Sequence, residues 1–316
     1  MKLWPRLDYR ADRSVIETLH AYCQVIGKLL VRTLPWHNHG WHTALRVVPR
    51  GLRTYPLIVG DQELQITLDL QMGAIIGESS SGRRGSFAIA GQSVAAFTQQ
   101  LDSLLRELDA VIDLSGGPNE VEDPVPFADD TALREWDVET ALHCHAAFRS
   151  ANRTFENFRT GFVGKSSPSH LFWGSFDLAV TRFSGRTAPL HPGGIPALPD
   201  AITREAYSHE NASAGFWLGG NGADEAMFYA YGYPTPDELA NAAIEPAQAW
   251  WHTDLGEFVL PYAAVAAADD PEATLLRFLE STYAAIADRA DWPRGMLDIP
   301  RGTVGKPRDV KGSRAS

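Results

Sequence analysis

Two stretches far apart in the chain repeat one short pattern, and this repetition constrains the fold more than any other feature. Residues 85–94 read GSFAIAGQSV and residues 256–265 read GEFVLPYAAV, with Gly, Phe, Ile or Leu, and Val at identical spacing. Each is an alternating, strand-like run leading into a helix. The first of these helices places Val94, Phe97, Leu101, Leu104 and Leu108 on one face behind Ser93, a natural N-cap. The second uses Leu275, Leu279, Tyr283 and Ile286, with Pro271 in its first turn. Each half also opens on an amphipathic helix. Its apolar positions are Ile16, Leu19, Cys23, Ile26 and Leu30 in one case, and Leu142, His145, Phe148, Phe155, Phe158 and Phe162 in the other. A Gly-Lys pair stands late in each stretch, Gly27-Lys28 and Gly164-Lys165, and strand-like TALRVV (43–48) and SFDLAVTRF (175–183) follow. The expectation is an α+β fold: a tandem duplication of a helix–antiparallel strands–helix module, packed as one unit.

The domain plan follows from that reading. Residues 1–112 form the first α+β repeat and 113–131, DLSGGPNEVEDPVPFADDT, an acidic linker. Residues 132–292 form the second repeat. It is the longer one, and the surplus is assigned to an inserted segment at about 187–235. Residues 293–316, with six Lys or Arg and two Asp among Gly, Pro and Ser, read as a disordered basic tail.

Composition narrows the function. The 316 residues carry a formal charge of −11, which disfavours nucleic-acid partners. No apolar run reaches the roughly 18 residues of a membrane span, and the charged N-terminus lacks a signal peptide's apolar stretch. Two cysteines exclude a disulfide framework, so a cytoplasmic location is the default. No Gly-x-Gly-x-x-Gly is present, and GKSS at 164–167 lacks the upstream glycine of a phosphate loop because Arg159 stands there. A nucleotide cofactor is therefore not expected. Gly-x-Ser-x-Gly and His-Glu-x-x-His are absent too.

The histidines carry the most chemical promise. HNHGWH supplies His37, His39 and His42; SPSH supplies His170; and EAYSHEN sets His209 beside Glu210. Imidazoles and a carboxylate gathered from separate strands suit a divalent transition metal. The metal ligands are expected to be His42, His170, His209 and Glu210, with His39 in reserve. The alternative for each histidine is a core residue bonded to backbone. His20, His143, His145 and His252 are set aside as packing or surface positions. Asp177, inside an apolar strand, would orient a ligand or anchor a hydrogen-bond network. Glu210, Asp177 and His39 are the catalytic candidates. Lys165 and Arg182 would hold an anionic group, while Trp41, Trp173 and Trp217 would wall a pocket. The function this implies is an enzyme acting on a small, aromatic organic substrate by metal-polarised hydrolysis or a lyase step. A metal-free His/Glu acid–base enzyme and a small-molecule binding protein without turnover are the alternatives. The sequence leaves the oligomeric state open.

The stretch GKSSPSHLFWGSFDLAVTRFSGR (164–186), followed by HPGG (191–194) and REAYSHENASAGFW (204–217), resembles an uncharacterised bacterial family of unknown function. TLH (18–20), VIGK (25–28), the NHxWH element (38–42) and DLGEFVLPY (254–262) share the resemblance, which spans nearly the whole chain except the tail. It implies one family-length unit and no particular activity.

Overall fold

A computed structural model describes residues 3–220 and 223–308. The first half opens on helix α1 (Tyr9–Thr33), and a 3₁₀ segment (Asn38–Thr43) leads into β1 (Ala44–Val48) and β2 (Gly51–Arg53). Strands β3 (Leu57–Val59), β4 (Gln62–Asp69), β5 (Ala74–Ser79) and β6 (Arg84–Ala88) follow, and α2 (Val94–Glu107) closes the half. The second half runs α3 (Val138–Arg159), β7 (His170–Phe172), β8 (Asp177–Thr187), α4 (Asp200–Ala206), β9 (His209–Trp217) and β10 (Met227–Tyr233). It ends with β11 (Trp250–His252), β12 (Glu257–Pro261), α5 (Tyr262–Ala266), α6 (Pro271–Arg289) and α7 (Arg294–Leu297).

All the strands join one antiparallel sheet in the order β11-β12-β10-β9-β8-β7-β1-β2-β4-β5-β6, with β3 on β4. The first strands of the two halves, β1 and β7, pair at the centre through Ala44–Phe172 and Leu45–Leu171. From that seam one arm runs outward as β2-β4-β5-β6 and the other as β8-β9-β10-β12-β11, in sequence order but for β3, which lies off the path, and the exchange of β11 and β12 at the edge, so the sheet is broadly mirrored about its middle. The α+β expectation holds.

The helices form where the apolar spacing places them. Ile16, Leu19, Cys23, Ile26 and Leu30 are all buried on α1. Ser93 caps α2 by accepting from the Ala96 amide, and Asp270 does the same for α6, whose first residue is Pro271. On β8, β9, β10 and β12 one set of side chains, including Leu178, Phe216, Phe228 and Leu260, is buried in the core beneath α3, α5 and α6. Each such Leu or Phe contributes roughly 1.5–3 kcal/mol. The alternate set, Asp177, Thr181, Ser213, Trp217, Tyr229, Tyr231 and Glu257, points to the other face and lines a cavity.

Four expectations change. The segment 187–235 is not an irregular insertion, because it contains β9 and β10, two interior strands of the sheet. Gly27-Lys28 lies inside α1, whereas Gly164-Lys165 lies beyond the end of α3, so the pairs are not equivalent. The segment 113–131 holds no helix or strand, yet it packs into the body through buried Leu114 and Phe127 and through Asn119. Finally, part of 293–316 is ordered: the Ile299 amide donates to the Gly161 carbonyl at 3.1 Å, and the Tyr283 hydroxyl to Asp298 at 2.6 Å. Residues 309–316 of the expected tail lie outside the described residues. No described helix is long and apolar enough to cross a membrane, and both cysteines are free and buried.

Candidate functional site

The cavity, of about 520 Å³, lies between the polar face of β8–β10 and β12 and a cover made of the 3₁₀ segment, residues 119–120, and residues 195–207. Its walls are aromatic: Trp36, Trp41, Phe172, Trp173, Phe183 and Trp217. A second hollow of about 530 Å³ lies along α1 and the 118–134 segment and contains none of the sequence candidates.

Three carboxyl groups from three elements face into the aromatic cavity: Asp177 at the start of β8, Glu257 at the start of β12, and Glu120 from the segment between the halves. None of them makes an ion pair among the described residues. Asp177 is buried and accepts hydrogen bonds from the Ser175 and Tyr229 hydroxyls. Burial nevertheless raises its proton affinity above that of an ordinary aspartate. Glu120 is pushed up to about 7 and Glu257 to about 8, in both cases first by burial and then by the nearby Asp177 charge. One oxygen of Glu257 is buried with no hydrogen-bond partner among the described residues. Beside this floor the Tyr207 and Tyr231 hydroxyls bond to each other at 2.8 Å. Gly215 leaves room for the Tyr229 ring: a Cβ there would fall 2.2 Å from its hydroxyl oxygen.

A basic wall faces the acids. Gly27 on α1 admits the Trp173 indole, since a Cβ at that position would lie 2.1 Å from the ring. Lys28, one residue on, sits with its Nζ 5.3 Å from the same ring and donates to Asn119 Oδ1. Burial, then the charge of Arg32, lowers Lys28 to about 8. Non-glycine residues in the left-handed region cluster at the cavity. His39 (φ 60°) and Glu120 (φ 59°) line it, and Phe176 (φ 57°) and Ala197 (φ 51°) adjoin lining residues. Such conformations cost roughly 1–3 kcal/mol each and collect at functional sites.

The sequence candidates divide sharply. Asp177, His39, Trp41, Trp173 and Trp217 all line the cavity. Lys165 is at its rim, over the rings of Phe183 (4.9 Å) and Trp41 (5.4 Å), and bonds to His39 Nε2. A carbonyl can only accept, so the 2.8 Å contact between His39 Nδ1 and the Ala206 carbonyl puts the ring proton on Nδ1. Burial lowers the proton affinity of His39, which leaves Nε2 as an acceptor for Lys165.

The expected metal quartet of His42, His170, His209 and Glu210 does not assemble. Consecutive residues of a strand face opposite ways, so His209 and Glu210 diverge. His209 stands 5.7 Å from the His39 ring on the cavity side. Glu210 turns away, accepting from Ser184 at 2.8 Å and pairing with Arg186 at 2.7 Å. His42 is packed against Trp36 and accepts from the His37 amide through Nδ1 at 3.3 Å. His170 is buried beside Phe172 and lowered to about 3 by burial. Among the described residues no group of three or more His, Cys, Asp or Glu side chains is placed to share a metal ion.

Arg182 also leaves the site. It points to the helix layer, where its guanidinium lies 3.5 Å from the Phe158 ring centre and 4.3 Å from that of Tyr283, and donates to the Phe158 carbonyl at 2.5 Å. Burial lowers it to about 10. Replacing such a charge by an apolar chain of similar length is often neutral or stabilising. Arg182→Met is therefore expected to change unfolding free energy by no more than about 1–2 kcal/mol and to leave ligand binding intact. Urea titration and a binding assay on the variant check both parts, and a loss of binding would return Arg182 to the site.

A family model described as a family of unknown function, DUF5996, matches residues 4–299. The chain belongs to that family. No curated protein and no solved structure matches it. The family assignment fits the resemblance read from the motifs and brings no activity with it, so the chemistry rests on the cavity.

Sequence reasoning missed Glu120, Glu257, Lys28 and the three tyrosines. For Glu257 a signal existed: like Asp177, it is a lone charge in an apolar strand, GEFVLP. Glu120 gave none, because a charge in an acidic segment reads as solvated.

Proposed function

We propose that the cavity binds a small, ring-bearing organic molecule and transforms it by proton transfer through the protein's own carboxyl groups. The observation that carries this reading is the convergence of Glu120, Asp177 and Glu257, unpaired, in one aromatic-walled cavity. Groups whose proton affinities are displaced toward neutrality are suited to general acid–base work. At pH 7 Glu257 would hold a proton and act as an acid, while Asp177, fixed by two hydroxyl donors, would be the positioned acceptor. The tryptophans would stack on the ring and exclude water. A hydrolytic or lyase step on an aromatic substrate fits this arrangement.

Tryptophan fluorescence provides the test, because Trp41, Trp173 and Trp217 line the cavity. A panel of small aromatic amines, amides and carbonyl compounds is expected to contain ligands that quench the emission and raise the unfolding temperature. Trp217→Ala and Asp177→Ala should weaken those ligands tenfold or more. A panel with no effect on either signal, or binding unchanged in both variants, would remove this cavity as the site.

The mirrored strand order also supports our reading of the chain as an internal duplication, with β1 and β7 as equivalent first strands.

A further inference from the structure

The chain contains 23 arginines and only five lysines. Lys2, Lys306 and Lys311 stand near the ends of the chain, and every other cationic position between 3 and 300 except Lys28 and Lys165 is an arginine. Both exceptions adjoin the cavity, Lys28 as a lining residue and Lys165 as the partner of His39. Where a cation has only to pair with a carboxylate or hold an anion, guanidinium offers more donors and keeps its charge. An amine differs in that it can give up its proton and form a covalent bond.

The surroundings of Lys28 suit an amine rather than an ion. Among the described residues no carboxylate pairs with it. Its Nζ lies over Trp173 at 5.3 Å and Phe127 at 5.9 Å. Its hydrogen-bond partner is the neutral side chain of Asn119, a residue held by its backbone N–H, which donates to Gln24 Oε1 (3.0 Å), and by its Nδ2, which donates to the Ala197 carbonyl (2.6 Å). Arg32, one helical turn later, faces the same cavity and disfavours a second positive charge.

We propose that Lys28 is a nucleophilic amine that condenses with the carbonyl carbon of an aldehyde or ketone held in the cavity, forming an imine. The inference rests on the acid–base reading of the cavity and adds a substrate class to it. The Nζ lone pair forms the C–N bond while the carbonyl π pair moves to oxygen, which takes up a proton. The carbinolamine then expels that oxygen as water as the C=N bond forms. The two amine hydrogens leave with the oxygen, so nothing is oxidised or reduced. Glu120, adjacent in sequence to Asn119, is the carboxyl that lends a proton to the departing oxygen and regains one from nitrogen.

The test treats the full chain with benzaldehyde and sodium cyanoborohydride and maps the reduced adducts by peptide mass spectrometry. In parallel, quenching by benzamide reports occupancy of the cavity without condensation. Labelling of Lys28 at least tenfold above each other lysine is expected, with total incorporation falling about threefold in Lys28→Arg while benzamide still binds. Labelling spread evenly over the lysines, or centred on Lys165, with benzamide still bound would overturn the imine and leave the acid–base reading standing. Loss of both labelling and benzamide binding would overturn the two together.

Discussion

Glu257→Gln is expected to stabilise the protein increasingly as pH rises from about 5 to 8, with a gain roughly 2 kcal/mol larger at pH 8.5 than at pH 6.5. The folded protein holds the Glu257 proton up to about pH 8, whereas an unfolded chain loses it near 4.5. The unfolded state therefore binds fewer protons between those values, and stability falls as pH rises through the window. Each tenfold displacement of a proton equilibrium is worth about 1.4 kcal/mol, so ionising this buried carboxyl forfeits a few kcal/mol. Glu120 adds to the same slope up to about pH 7. Buried histidines act in the opposite sense on the acid side. His170, lowered to about 3, removes stability as pH falls below about 6.5, because the unfolded imidazole takes up a proton that the folded one refuses. Urea unfolding midpoints from pH 6.5 to 8.5 thus avoid the histidines, and because Lys28, lowered to about 8, acts equally in both proteins, the difference between wild type and Glu257→Gln isolates Glu257. If wild type and Glu257→Gln trace parallel curves, Glu257 is ionised in the folded state and cannot act as the acid.

Gly27→Ala separates local from tertiary physics by the sign of its effect. Glycine inside a helix is about 1 kcal/mol worse than alanine, so α1 taken alone would gain from the change. In the folded protein the new methyl would fall 2.1 Å from the Trp173 ring. The indole would have to leave, and with it the surface beneath Lys28. Overpacking of this kind costs about 1–3 kcal/mol. The expected result is a net loss of up to roughly 2 kcal/mol, together with tenfold weaker quenching by cavity ligands. A variant more stable than wild type, with normal quenching, would show that the indole is free to move.

Short-range physics was legible along the chain. The apolar spacing of α1, α2 and α6, the N-cap Ser93, the first-turn Pro271, and the strand-like runs of β1 and β8 need only neighbouring residues to interpret. The aromatic walls of the site were legible too, because Trp41, Trp173 and Trp217 stand beside polar residues in sequence. His39 was found in a cluster of histidines, and Asp177 by treating a charge inside an apolar strand as a signal.

The sequence by itself determined the α+β class, the long helices, the paired strand runs and the candidate polar residues, because those follow from periodicity over a few residues. It could not determine which face of the sheet each candidate would occupy relative to the rest of the molecule. His209 and Glu210 are neighbours in sequence and sit on opposite faces of β9, so the metal quartet dissolved on folding. Glu120, Glu257 and Lys28 are far apart in sequence and line one cavity, because the 119–120 segment, β12 and α1 are brought together only by tertiary packing. Burial, which displaces their proton equilibria, is a property of that packing, and no local stretch of sequence contains it.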